Sequence, residues 1–198
     1  MKPQTAPPKG ILPADITVLV EGIAPSHAPT HMLAVRAPNS NNATLYPCHS
    51  LVLAAHCSRL TPFDTTKKSI TMSASSCVLP VRWLTLPDPT TFPMLLQYLY
   101  TKRPEVFFSA PFLPESLSLE SSASQKSLAT MLVKKYSSET LMRNATAVWG
   151  LWSNGCALGV LDEILWQSID RLWGTILLAL SLAPGSNAKF FPKPVSSC

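Results

Sequence analysis

Two cysteine–histidine pairs, Cys48-His49 and His56-Cys57, flank a short Ala-rich stretch. Thiolate and imidazole are zinc ligands, and a zinc site needs four such groups converging on one point. His49 and His56 are seven residues apart and share a helical face, but the two cysteines project elsewhere. The spacing therefore predicts no metal site. It gives His49 a structural role, at the corner between a strand and a helix. The nucleophile pattern G-x-S-x-G and the phosphate-binding pattern G-x-x-x-x-G-K do not occur. Asp162-Glu163 and Asp170 sit among apolar residues at helical spacing, where capping and solvation account for them. No catalytic residue, cofactor or small-molecule substrate is expected, and the chain reads as a non-enzyme.

The tryptophans are the second candidate. Trp149, Trp152, Trp166 and Trp173 fall within 25 residues of one another. With Leu177 they either fill a core between helices or form an aromatic surface for a partner. Charged residues make up only 14% of the chain, against about a quarter in an average domain. So little charge favours some apolar surface covered by a partner.

The elements that position these residues follow from length and pattern. A chain of 198 residues, 46% apolar, holds one domain with tails, or at most one and a half. Nineteen prolines against seven glycines imply stiff, extended connections. The net charge of +5 is scattered in pairs such as Lys67-Lys68, Lys102-Arg103 and Lys134-Lys135. No basic helix appears, which argues against nucleic acid; a basic nucleic-acid-binding regulator is kept as the alternative reading. Five cysteines, an odd and irregular set, make a poor disulfide framework. Residues 1–10 lack a signal-peptide core. The expectation is an intracellular protein of nucleus or cytoplasm, with the sequons at Asn42 and Asn144 unused. The most apolar segment, Leu172 to Ala183, has 12 residues, against about 20 needed to span a bilayer. No membrane partner is expected.

Residues 1–13 read as a disordered Pro-rich lead and 184–198 as a disordered tail. The β-branched run from Asp15 to Val20 predicts a strand, and Met32 to Ala37 a second one paired antiparallel with it. A helix over about His49–Leu60 follows, with Leu53, Cys57 and Leu60 on one face, and is expected to be the hub of the domain. Extended pieces at 77–79 and 81–86 are split by Pro80. A helix capped by Thr90 or Thr91 presents Phe92, Leu95, Leu96 and Leu99. Glu105 to Phe108 reads as a short strand, and 64–77 and 109–124 as loops. Helices are expected at 128–136, at 138–158 with a left-handed cap at Gly159, and after Asp162. The last carries two apolar stripes and so must pack on two sides.

This order resembles the BTB/POZ domain. His49-Ser50-Leu51-Val52-Leu53-Ala54-Ala55-His56-Cys57-Ser58 is similar to that family's H-x-x-x-L-a-a-x-S, with one extra residue before the serine. Leu84 to Thr101 resembles its F-x-x-L-L-x-Y-x-Y-T-G signature, with Lys102 where the glycine usually stands. His49, Leu53, Phe92, Leu96, Tyr98 and Tyr100 carry the signature. A narrower resemblance is to the clampless-type proteins of mushroom-forming fungi, carried by His31 to Pro38, Tyr46 to His49, Leu99 to Pro104 and the Trp-rich end. The resemblance implies an α+β fold over 14–183, with a small, mostly antiparallel sheet flanked by helices. It implies a non-catalytic interaction module in clamp-cell formation and sexual development. Its partner would be a second copy (a homodimer) or a developmental transcription regulator.

Overall fold

The computed structural model describes residues 4–5, 13–19, 24, 27–63, 76–103, 112 and 124–183. The chain divides into two compact units, Met1–Pro89 and Thr90–Cys198, and the domain expected over 14–183 spans both.

The first unit holds strands β1 (Gln4–Thr5), β2 (Asp15–Leu19), β3 (His31–Arg36), β4 (Thr44–Cys48) and β5 (Ser76–Thr85), and helix α1 (Ser50–His56) between β4 and β5. The strands form one mixed sheet in the order β1-β4-β3-β5-β2. Met32, Leu33, Ala34 and Val35 are all buried, the pattern of a strand covered on both faces. Accordingly β3 is interior, antiparallel to β4 (Met32 opposite Pro47) and parallel to β5 (Met32 opposite Val81). Both of its edges are occupied, so the hairpin expected between the first two long strands does not form. β2 pairs with β5 instead, Asp15 opposite Pro80. Its exposed Asp15, Thr17 and Leu19 alternate with half-buried Ile16 and Val18, as suits a sheet edge. The pieces expected on either side of Pro80 are one strand: Ser76–Pro80 pairs with β2 and Val81–Thr85 with β3. Met32, Ala34, Ala43, Leu45, Cys77 and Leu79 form a core, with Ile16, Val18 and Val81 at its margin.

Helix α1 is not the hub that the sequence suggests. It has seven residues and buries one side chain, Leu53. Leu51 is 79% exposed, and Ala54 and Ala55 are exposed. The chain leaves the helix at Cys57, which is extended, well before Pro62. Cys57 is nonetheless buried, and Leu60 half-buried.

The second unit contains α2 (Phe92–Thr101), α3 (Gln125–Lys135), α4 (Ser138–Leu158) and α5 (Glu163–Leu182). Ser124, Ser137 and Asp162 cap the last three, each accepting a backbone N–H three residues on. Such caps contribute about 1 kcal/mol each. α4 runs over the expected span and closes at Gly159 (φ 64°, ψ 49°), with the Val160 N–H donating to the Gly155 carbonyl at 3.0 Å and Val160 buried. α5 packs against α3 and α4, and α4 also against α2. The two stripes of α5 meet these two neighbours: Leu165, Ile169, Leu172 and Ile176 are buried, as are Trp173 and Leu180.

Within the lead expected to be disordered, Gln4 and Thr5 pair with Leu45 and Thr44. The Glu105–Phe108 strand, most of both expected loops and the tail at 184–198 lie outside the described residues. No helix among the described residues is long and apolar enough to cross a membrane.

Candidate interaction surface

Three of the four clustered indoles come together on α4 and α5. Trp149 and Trp152, one helical turn apart, stack with centroids 4.9 Å apart and planes 29° apart. Trp173 of α5 lies 6.1 Å from Trp149. Exposure is graded across the group: Trp173 is 4% exposed, Trp152 half-buried and Trp149 40% exposed. Trp173 is therefore core, and Trp149 offers a ring to the outside that its neighbours already hold in place. Met142, two turns before Trp149 on the same stripe, is also 40% exposed.

Trp166 does something else. Its indole N–H donates to the Val160 carbonyl at 3.0 Å, and its ring lies over Gly155. A Cβ at Gly155 would stand 2.7 Å from Trp166 Cη2, closer than carbon atoms approach. The pair lets α4 and α5 meet closely beyond the cap, so Trp166 is a packing residue. Leu177 is half-buried on α5.

The signature residues have structural positions. Phe92, Leu95, Tyr98 and Leu99 are the buried face of α2, whereas Leu96 is half-buried and Tyr100 exposed. Thr91 is the residue before α2, but its hydroxyl does not cap the helix. It accepts instead from Asn154 Nδ2 of α4 at 3.0 Å, with both residues buried. A buried amide of this kind is costly unless bonded, so the pair fixes how α2 and α4 register. At the other end of α2, Lys102 adopts a left-handed backbone (φ 54°, ψ 28°) and its Nζ lies 2.9 Å from Asp162 Oδ2. The Tyr98 hydroxyl also bonds Asp162, and Nζ sits 5.2 Å from the Tyr98 ring. Burial would raise the Asp162 pKa, but hydrogen bonds from Lys102, the Leu165 N–H and Tyr98 outweigh it and hold the carboxyl below its ordinary range.

The four Cys/His groups have separate positions. Cys48 and Cys57 are buried and not in disulfides, and burial pushes the Cys48 thiol up to about 12. His49 is the residue before α1, with no capping bond from its ring. The Ser50 N–H is met by Thr30 Oγ1 at 2.8 Å, which also lies 3.1 Å from His31 Nδ1. No group of three or more His, Cys, Asp or Glu side chains gathers as metal ligands would among the described residues. Cys156 is disulfide-bonded, which the odd cysteine count does not anticipate.

Nearby, Phe63 is held between the His31 ring, 4.6 Å away, and the Arg82 guanidinium, 4.3 Å away. Arg82 also donates to the carbonyls of Thr61 and Pro62. Burial, and secondarily Arg82, lowers the His31 pKa. Thr30, Phe63 and the Thr91–Asn154 pair have no signal at their own positions, because each acts on a segment 18 to 63 residues away.

The fold is an α+β arrangement of a sheet unit and a helical unit, and the described residues of the latter carry the stacked Trp149–Trp152 pair at their surface. Residues 1–87 match the clampless protein 1 N-terminal domain family and residues 92–196 the clampless protein 1 C-terminal domain family. The chain belongs to the clampless protein 1 family. Its two matches divide where the compact units divide. It is 27% identical over 99 residues to "Clampless protein 1" from each of two strains of Cryptococcus neoformans var. neoformans serotype D. That alignment covers 50% of this chain and 20% of the relative, so the chain spans only a small part of the curated relatives' length. No solved structure matches.

Proposed function

We propose that the chain is a non-catalytic protein–protein interaction module that regulates clamp-cell formation and sexual development, by self-association or by binding a developmental regulator. The observation that carries the reading is Trp149: a large indole, preset by Trp152 and Trp173 and left 40% exposed on a long helix. Rigid aromatic rings of this kind are the usual anchors of interfaces. Family membership supports the developmental context. A BTB/POZ-like scaffold is the finer fold reading that goes with it, supported by the order of the motifs opening at His49 and Phe92. No cofactor belongs to it. Its place would be the nucleus or cytoplasm, where the Cys156 disulfide would meet a reducing thiol pool.

The alternative, a basic nucleic-acid-binding regulator, draws on the net charge of +5. Several of those cations have partners within the chain: Arg82 with Phe63, Lys102 with Asp162, and Arg36 over Trp83 at 5.0 Å. The interaction reading is therefore preferred. The test is complementation of a clamp-forming fungal host lacking its own copy. Trp149→Asp, accumulating at the wild-type level with unchanged circular dichroism, is expected to fail to restore clamps. Full restoration by that variant would sink the proposal.

A further inference from the structure

We propose that Thr61 is a phosphorylation site for a proline-directed protein kinase, and that the guanidinium of Arg82 receives the phosphate. The inference goes beyond the interaction-module reading and does not depend on it.

The sequence has nineteen prolines, and Thr61-Pro62 is the one place where a serine or threonine precedes a proline. Proline-directed kinases select a proline directly after the hydroxyl they modify. A proline also pushes the residue before it toward extended backbone, the form in which a substrate lies in a kinase cleft. Thr61 and Pro62 are exposed, and residues 61–63 belong to no helix or strand. A kinase therefore reaches the hydroxyl without opening an element. In the transfer, Thr61 Oγ1 bonds to the γ-phosphorus of ATP and the bond from that phosphorus to the bridging oxygen breaks. ADP leaves, and the hydroxyl proton passes to the catalytic base of the kinase.

The receiving group is already in place. Arg82 of β5 donates from Nη2 to the Thr61 hydroxyl and to the Thr61 carbonyl, and from Nη1 to the Pro62 carbonyl at 3.1 Å. The Phe63 ring lies 4.3 Å from the same guanidinium and helps to hold it. A phosphate made on Thr61 is thus formed beside a fixed cation. It carries a charge of about −1.5 to −2 at pH 7, and guanidinium–phosphate bonds are stronger than those to a neutral hydroxyl. Modification strengthens an existing contact and clamps residues 61–63 to β5.

The experiment maps phosphate by mass spectrometry on the full chain recovered from a clamp-forming host. Phosphate is expected on Thr61 in the wild type and absent from it in Pro62→Ala. An unmodified Thr61 in the wild type overturns the site, and a phosphate kept by Pro62→Ala overturns the class of kinase. Phosphorus NMR then titrates the phosphothreonine. Its second pKa is ordinarily about 6 and should lie lower by about half a unit or more beside Arg82. It should return to about 6 in Arg82→Gln, whereas Arg82→Lys, which keeps the charge, should stay below Arg82→Gln. The same titration in the wild type and in Arg82→Gln overturns the role of Arg82.

Discussion

Lys102 occupies a backbone conformation that a Cβ makes costly by roughly 1–2 kcal/mol, and glycine would occupy it freely. What holds a lysine there is its ammonium, which reaches Asp162 at 2.9 Å. The side chains are 37% and 14% exposed, so the ion pair is partly sheltered. Lys102→Ala keeps the strain and loses the pair, whereas Lys102→Gly loses the pair and the strain together. Urea denaturation should place Lys102→Gly about 1 kcal/mol above Lys102→Ala, with Lys102→Ala below the wild type. Asp162 adds a pH dependence of known sign. Its folded pKa is depressed below the ordinary 3.8. The stabilisation is therefore complete above 3.8 and is lost as pH falls through the lower, folded value. Asp162→Asn keeps an oxygen to cap α5 and should flatten the acid limb of a stability–pH curve. An unchanged slope would show that the carboxylate is not coupled to folding.

Among the elements, α5 and α1 stand at opposite extremes. α5 is packed on both sides, and Leu172 is fully buried between its neighbours. Leu172→Ala should cost about 2–5 kcal/mol in a denaturation experiment. Leu51→Ala, at the most exposed leucine of α1, should change stability by less than about 0.5 kcal/mol. The reverse order would mean that α1 is the organising helix after all. The helices of the second unit are legible in the sequence because their information is local. Ser137 and Asp162 mark two starts, Gly159 marks a stop, and the double stripe of α5 announces two packed sides. The first unit is less legible. The run Met32–Val35 does say that its strand is interior, but nothing near Asp15 says that its partner lies beyond residue 75. The Ala-rich stretch at 49–60 favours helix by propensity, yet propensity does not say which face finds a neighbour. The aromatic site is half legible. Four tryptophans within 25 residues point to it, but only packing separates Trp149, held and exposed, from Trp166, which is spent on Gly155.

For the whole molecule, the division near residue 90 predicts partial independence. Expressed separately, 90–198 should show the circular dichroism of a helical protein, and 1–89 that of a sheet. A loss of all structure in both pieces would show that each unit needs the other to fold. The two units also differ in how their strands and helices find partners. In the second, the caps and the packing of α5 on α4 join segments that follow one another in the chain, although α2 waits for α4. In the first, β5 must be present before β2 can pair, and before β3 can gain its parallel neighbour. The β3–β4 and β1–β4 pairings close without it. During synthesis, then, β2 waits as an unpaired strand until residue 80 has cleared the ribosome. For that interval its valine and isoleucine face whatever binds nascent chains. Translation speed through the stretch that separates α1 from β5 should accordingly govern how much of this protein reaches its native state.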